Sequence, residues 1–244
     1  MNKVCIIIPC FNEQHRLPIN EFIEFYSTNF NFLFVNDGST DLTINALNFI
    51  KAGREDRIFI LELKENQGKA GAVRRGMLYA NHMNIFSIIG FLDADLSIPL
   101  DEARRLITYL EDDEVIFVFG SRIQRIGVNI KKKLYRHLLS RFFATVVSNM
   151  LKINVYDTQC GLKLFKSEIV DGLFKENFRT RWIFDVEIFY RFLNIYRDKN
   201  INKISKEIPL DICIHVEGSK IKFYDFVKIP IEMIKLIYQN NFKN

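Results

Sequence analysis

Short apolar runs, each followed by a polar loop and then by a helical pattern, constrain this chain more than any other feature. Val4–Ile8, Phe32–Val35, Ile58–Leu61, Ile85–Leu92 and Val115–Phe119 are short and rich in β-branched and aromatic residues, as buried strands are. Between them, Ile19–Thr28, Leu42–Ile50, Gly68–Tyr79 and Pro99–Leu110 carry helical spacing. Ser39 or Thr40, followed by Asp41, supplies a start signal for the second helix. This alternation predicts an α/β fold with a mostly parallel central sheet and helices on both faces. A chain of 244 residues, 48% hydrophobic and 26% charged, can bury one substantial core and is too apolar to be disordered.

In a parallel sheet the loops after the strands gather along one edge, where α/β proteins bind ligands. Here they read Pro9-Cys10-Phe11-Asn12-Glu13, Asn36-Asp37-Gly38-Ser39, Glu65-Asn66-Gln67-Gly68-Lys69, Asp93-Ala94-Asp95 and Gly120-Ser121-Arg122. Asp93 and Asp95 follow the Ile85–Leu92 run. In an extended segment residues i and i+2 point the same way, so both carboxylates can reach one spot. A hard divalent cation is the usual answer to such a pair; a helix cap plus a solvated loop acid is the other reading. Acids for ribose and base, with a metal and cations for phosphates, are what a nucleotide diphosphate needs.

Several classes are excluded. Gly68-Lys69 lacks the earlier glycine of a P-loop, and Ala70 stands where that loop has Ser or Thr. No G-x-G-x-x-G fingerprint is present. Cys5, Cys10, Cys160 and Cys213 show no C-x-x-C spacing, and the four histidines are scattered, so reduced thiols and no zinc site are expected. No apolar stretch is long enough to cross a bilayer. A cytoplasmic protein is expected, peripheral at the inner membrane face if its basic helix lies on lipid. The net charge of +5 suits an anionic partner without naming it.

The second half changes character. Ile130–Leu151 reads as a long helix whose apolar pairs repeat every four residues, so its stripe winds around the axis. Lys131, Lys132, Lys133, Arg136, His137 and Arg141 crowd its start, either facing an anionic membrane surface or simply solvated. Asp185 begins an amphipathic helix running to Tyr196, and Lys203–Pro209 and Ile212–Val216 read as strands. The tail, Phe223–Tyr238, is an apolar helix facing the domain, a second subunit or lipid.

Two stretches are more specific than the paired aspartates: Asp157-Thr158-Gln159-Cys160-Gly161-x-Lys163-x-Phe165 and Arg181-Trp182-x-Phe184-Asp185-Val186-Glu187. With Pro9-x-x-Asn12-Glu13, Asn36-Asp37-Gly38-Ser39, Asn66-x-Gly68-Lys69-Ala70-Gly71, Gly120-Ser121-Arg122 and Gly218-Ser219-Lys220, they resemble family 2 glycosyltransferases of the GT-A fold, dolichyl-phosphate β-glucosyltransferases and polyprenyl-phosphate relatives above all. The resemblance implies a GT-A domain over residues 1–220 and a C-terminal amphipathic helix over 221–244. It further implies inverting transfer of a hexose, glucose favoured, from a UDP-sugar to a polyprenyl phosphate. Pro9, Phe11, Glu13, Asp37, Lys69 and Asp93 would bind the donor. Asp93 and Asp95 would hold Mg²⁺ or Mn²⁺, and Asp185 would be the catalytic residue. Arg122, Arg136 and Arg181 would meet the acceptor phosphate or the leaving diphosphate. The implied partners are the donor, the lipid phosphate, an anionic membrane surface and, through the tail, a second copy; nucleic acid is not among them. Asp95 is followed by Leu96-Ser97-Ile98 where the glucosyltransferases have Gly-Ala-Thr, a pattern closer to dolichyl-phosphate mannose synthases using GDP-mannose. Two more readings stay open: a soluble enzyme acting on a saccharide hydroxyl, and a non-catalytic nucleotide-sugar-binding protein.

Overall fold

A computed structural model describes residues 3–25, 30–123, 129–130, 145–181, 183–214 and 232. The strands are β1 (Val4–Cys10), β2 (Phe30–Asp37), β3 (Ile58–Leu63), β4 (Ile88–Phe91), β5 (Phe117–Ser121), β6 (Asn129–Ile130), β7 (Lys163–Lys166), β8 (Ser205–Pro209) and β9 (Ile212–Cys213). The helices are α1 (Ile19–Glu24), α2 (Thr43–Lys51), α3 (Gly68–His82), α4 (Leu100–Ile107), helical residues 145–151 (α5), α6 (Val170–Phe174), α7 (Phe184–Ile195) and α8 (Ile201–Ile204). Seven strands form one sheet in the order β3-β2-β1-β4-β7-β5-β8; β6 and β9 form a small parallel pair.

Strand alternation sorts the core into two layers. Val4, Ile6 and Ile8 of β1, with Phe30, Phe32 and Phe34 of β2, pack with Phe22, Leu47, Ile50, Ala103 and Leu106. The intervening Cys5, Ile7, Leu33 and Val35 face the other way, onto Ala72, Val73, Met77 and Ala80 of α3, in a core shared with Phe184, Ile188 and Phe192 of α7. Period-2 patterning with apolar residues on both faces is what a doubly covered sheet requires.

The expected α/β sheet with helices on both faces is present, with one strand running the other way. β7 enters antiparallel between β4 and β5, with Lys163 opposite both Phe91 and Phe119. Because it runs backwards, its start lies at the edge where the parallel strands end, which brings the Asp157–Gly161 stretch there. Sequence periodicity gave no sign of this insertion. Other expectations shift at their ends: β4 is shorter than Ile85–Leu92, with Ile85 exposed, and Lys203–Ile204 close a helical turn before β8. Arg136, the basic residues 131–141, Gly218–Lys220 and the tail apart from Glu232 lie outside the described residues. Among the described residues no helix is long and apolar enough to cross a membrane.

Candidate active site

The first loops are laced together by side chains. Asn12 N–H donates to Ser39 Oγ at 3.1 Å, Glu13 N–H to Thr43 Oγ1 at 2.8 Å and Gln14 N–H to Asp41 Oδ2 at 3.2 Å. Asp41 Oδ1 accepts the Thr43 N–H at 3.0 Å, so the start signal read from the sequence also ties the two loops. Phe11 follows the end of β1 and is 36% exposed, while Glu13 is buried.

Asp37 ends β2 at the third loop. Its carboxylate accepts the Gln67 N–H at 2.8 Å and Asn66 Nδ2 at 3.0 Å. Gly38 makes this approach feasible: its φ is +63°, and a Cβ would strike Asn66 N at 2.7 Å. Burial pushes the Asp37 carboxyl up, and the Gln67 and Gly68 N–H groups and the Arg181 charge only partly offset that. Arg181 lies over this loop, since a Cβ on Gly68 would meet its Nε at 3.1 Å.

Asp93-Ala94-Asp95-Leu96 is a turn rather than an extended segment, closed by Leu96 N–H to Asp93 O at 3.2 Å. The extended i, i+2 argument therefore does not describe these acids, yet both act on one ammonium. Lys69 Nζ is 2.5 Å from Asp93 Oδ1. Desolvation pulls the Lys69 pKa down, but Asp93, Asp185 and Asp95 outweigh it and the net shift is upward. Asp95 also meets Arg16 at 3.4 Å and accepts the Ser97 N–H at 3.0 Å. Gly161 gives Asp93 its place, because a Cβ there would sit 2.5 Å from Asp93 Oδ2.

Asp185 follows Phe184 in the first turn of α7, 4% exposed. It is paired at 2.5 Å with Lys163 Nζ, which is fully buried and also donates to Cys160 O at 2.8 Å. Lys163 belongs to a motif singled out in the sequence, where no role fell to it. A lysine inside the apolar run Leu162–Phe165 was the available signal, because buried charges come paired. Arg122 is held by Asp157 through two parallel bonds, Nε to Oδ2 at 2.7 Å and Nη2 to Oδ1 at 2.9 Å. Glu207 in turn accepts the Tyr156 and Asp157 N–H groups through Oε1, at 3.1 and 2.9 Å.

The head of α7 is fixed by two further acids. Glu187 accepts the N–H groups of Arg179 and Thr180, at 2.9 and 3.1 Å through Oε2, and binds Arg191. Glu232 accepts those of Arg181 and Ile183 at 3.1 and 3.2 Å. These donors all precede Phe184, the first residue of α7, so the two acids tie the incoming loop to the head of the helix. The structure thus brings Lys69, Asp93, Asp95 and Asp185 into one cluster, with Asp37 and Arg181 at the adjoining loop. Arg122 stands in its own pair with Asp157.

Residues 5–174 match glycosyl transferase family 2. The chain belongs to that family. As a family 2 chain, it is 32% identical over 206 residues to the dolichyl-phosphate beta-glucosyltransferase of Drosophila melanogaster, covering 77% of this chain and 62% of the fly protein. It is 28% identical over 254 residues to the Dictyostelium discoideum protein of the same name, covering 98% of this chain and 73% of that one. The chain thus spans less than two thirds of the fly relative's length. Glucosyl-3-phosphoglycerate synthase from Mycobacterium tuberculosis, solved with Mn²⁺, UDP and glucosyl-3-phosphoglycerate, superposes with a TM-score of 0.66 at 14% identity, covering 96% of this chain and 77% of that one. The fold is GT-A, and the family expected from the motifs agrees with the match over residues 5–174.

Proposed function

We propose that this chain moves glucose, with inversion, from UDP-glucose to a polyprenyl phosphate, using Mg²⁺ or Mn²⁺. The observation that carries the reading is the cluster of Lys69, Asp93, Asp95 and Asp185 at the sheet edge, in a chain whose relatives are named for glucosyl transfer to dolichyl phosphate. Asp93 and Asp95 offer hard oxygens, and Gly161 leaves the Asp93 carboxylate room. Among the described residues no three acidic, histidine or cysteine side chains are grouped for a metal. Two carboxylates leave most positions to diphosphate oxygens and water, as is usual for Mg²⁺. The residues fit such an ion, which when bound would stabilise charge growing on the leaving diphosphate.

The chain's own groups supply the rest. Asp37 and Glu13 face uridine as hydrogen-bond acceptors, with Pro9 and Phe11 as its apolar wall. Lys69, in the first turn of α3, directs its ammonium and the helix N-terminus at the diphosphate. Arg181 adds a second cation beside Asp37. Asp185 bears on the acceptor. A saccharide hydroxyl must lose its proton as it attacks, and needs an accessible base. A phosphate monoester, with a second pKa of about 6, arrives largely ionised. Asp185 is buried and committed to Lys163, which favours the phosphate and gives Asp185 an orienting role. Arg122 and Arg136 are assigned to the acceptor side.

The test is incubation with UDP-glucose, UDP-N-acetylglucosamine and GDP-mannose against a short polyprenyl phosphate and against a free oligosaccharide. UDP release from UDP-glucose that requires the lipid phosphate is expected. Faster release from GDP-mannose would reassign the sugar, and release driven by the oligosaccharide would reassign the acceptor.

A further inference from the structure

Each acid of the cluster already has a cation. Lys69 lies 2.5 Å from Asp93, Arg16 3.4 Å from Asp95 and Lys163 2.5 Å from Asp185. Three negative charges meet three positive ones, so this cluster of acids is balanced before any ligand arrives. Of the three cations, Lys163 is fully buried, and Arg16 also leans toward Glu13 at 3.7 Å. Lys69 differs from both. Its side chain is 41% exposed, on a flexible four-carbon stem, and it lies in the first turn of α3. A cation is the wrong charge for a helix N-terminus, whereas a phosphate is the right one. Asp93 supplies the negative charge that this position calls for.

We propose that Lys69 is an internal counter-cation that holds Asp93 until the donor diphosphate arrives, so that the divalent ion enters with the nucleotide rather than before it. This rests on Asp93 being the metal ligand proposed above. An ion arriving alone would have to push the ammonium off Asp93 and would leave two surplus positive charges. A nucleotide sugar brings two negative charges on its diphosphate, restores the balance and gives Lys69 a phosphate oxygen to turn to. No bond is made or broken in this exchange, only ion pairs.

The experiment is a Mn²⁺ titration of the full chain by the EPR signal of free Mn²⁺, with and without UDP. The wild type should bind Mn²⁺ weakly alone and much more tightly with UDP. Lys69→Gln should bind Mn²⁺ alone at least tenfold more tightly than the wild type, and UDP should add less. Lys69→Arg keeps the charge and should behave like the wild type, and adding Asp93→Asn to Lys69→Gln should erase the gain. No tightening in Lys69→Gln would overturn the proposal even if UDP still tightens Mn²⁺ binding in the wild type, which would leave the metal reading intact. Wild-type protein that fails to bind Mn²⁺ even with UDP would remove the metal reading itself, and the proposal with it.

Discussion

At the scale of single residues, the buried pair Lys163–Asp185 has the largest energetic consequence. Removing one member leaves the other charge stranded, which typically costs about 3–5 kcal/mol, whereas replacing both by well-packed apolar groups is often harmless. Lys163→Met and Asp185→Leu should each lower unfolding free energy by about 3–5 kcal/mol. The double variant should recover most of it, because methionine packs readily against the Phe91 and Phe189 rings beside Lys163 Nζ. Chemical denaturation of the three variants measures the cycle; additive losses would show that the pair is not coupled. Glu207 gives a pH test. Burial raises its carboxyl above the ordinary range, and the hydrogen bonds from Tyr156 and Asp157 only partly offset that. A raised folded pKa means that its contribution is fully present below the unfolded value and lost as pH rises through the folded one. Glutamine keeps one oxygen for both N–H groups and has no charge to bury. Melting temperature of Glu207→Gln relative to wild type should therefore climb from pH 4 to pH 7, and a flat difference would refute burial of the charge as the cause. Asp93 and Lys69 were legible in the sequence because their loops follow strands. The Lys163, Glu187 and Glu232 partnerships were not, because residues far apart in sequence meet only once the fold is made.

At the scale of elements, the turn after β4 shows where local patterning stops being a guide. Alternation foresaw β1 to β5 and the helices between them, since each segment's apolar period reports its own burial. It did not foresee β7, whose direction depends on which neighbours it slots between, nor that Asp93–Leu96 is a turn. Leu96 sits in that turn at φ +45°, where glycine is at ease and other residues are strained. Its side chain is nevertheless in the core, 7% exposed. Strain there costs about 1–2 kcal/mol, while truncating a buried leucine costs about 2–5 kcal/mol, so burial wins. Leu96→Ala should destabilise by about 2–5 kcal/mol. Leu96→Gly should be milder by about 1 kcal/mol, reversing the usual order of alanine over glycine. Equilibrium unfolding of both variants decides it, and a glycine variant less stable than the alanine one would mean that the turn is not strained.

At the scale of the whole molecule, the sheet with a core layer on each face serves to collect loops at one edge. Parallel strands β1, β2 and β4 deliver Phe11, Asp37 and Asp93 there, and the reversed β7 begins at the same edge, bringing Gly161 and Lys163 beneath them. α7 completes the cluster with Asp185. Donor, metal and acceptor would then meet over a scaffold whose core is already closed, so substitutions at Asp93 should reduce turnover without unfolding the protein. The most direct measurement is transfer of radiolabel from UDP-glucose into solvent-extractable polyprenyl-phosphate glucose by wild type and Asp93→Ala, each with Mn²⁺ and with EDTA. Labelled lipid should form only with wild type and Mn²⁺; equal labelling by Asp93→Ala, or labelling that persists in EDTA, would contradict the account.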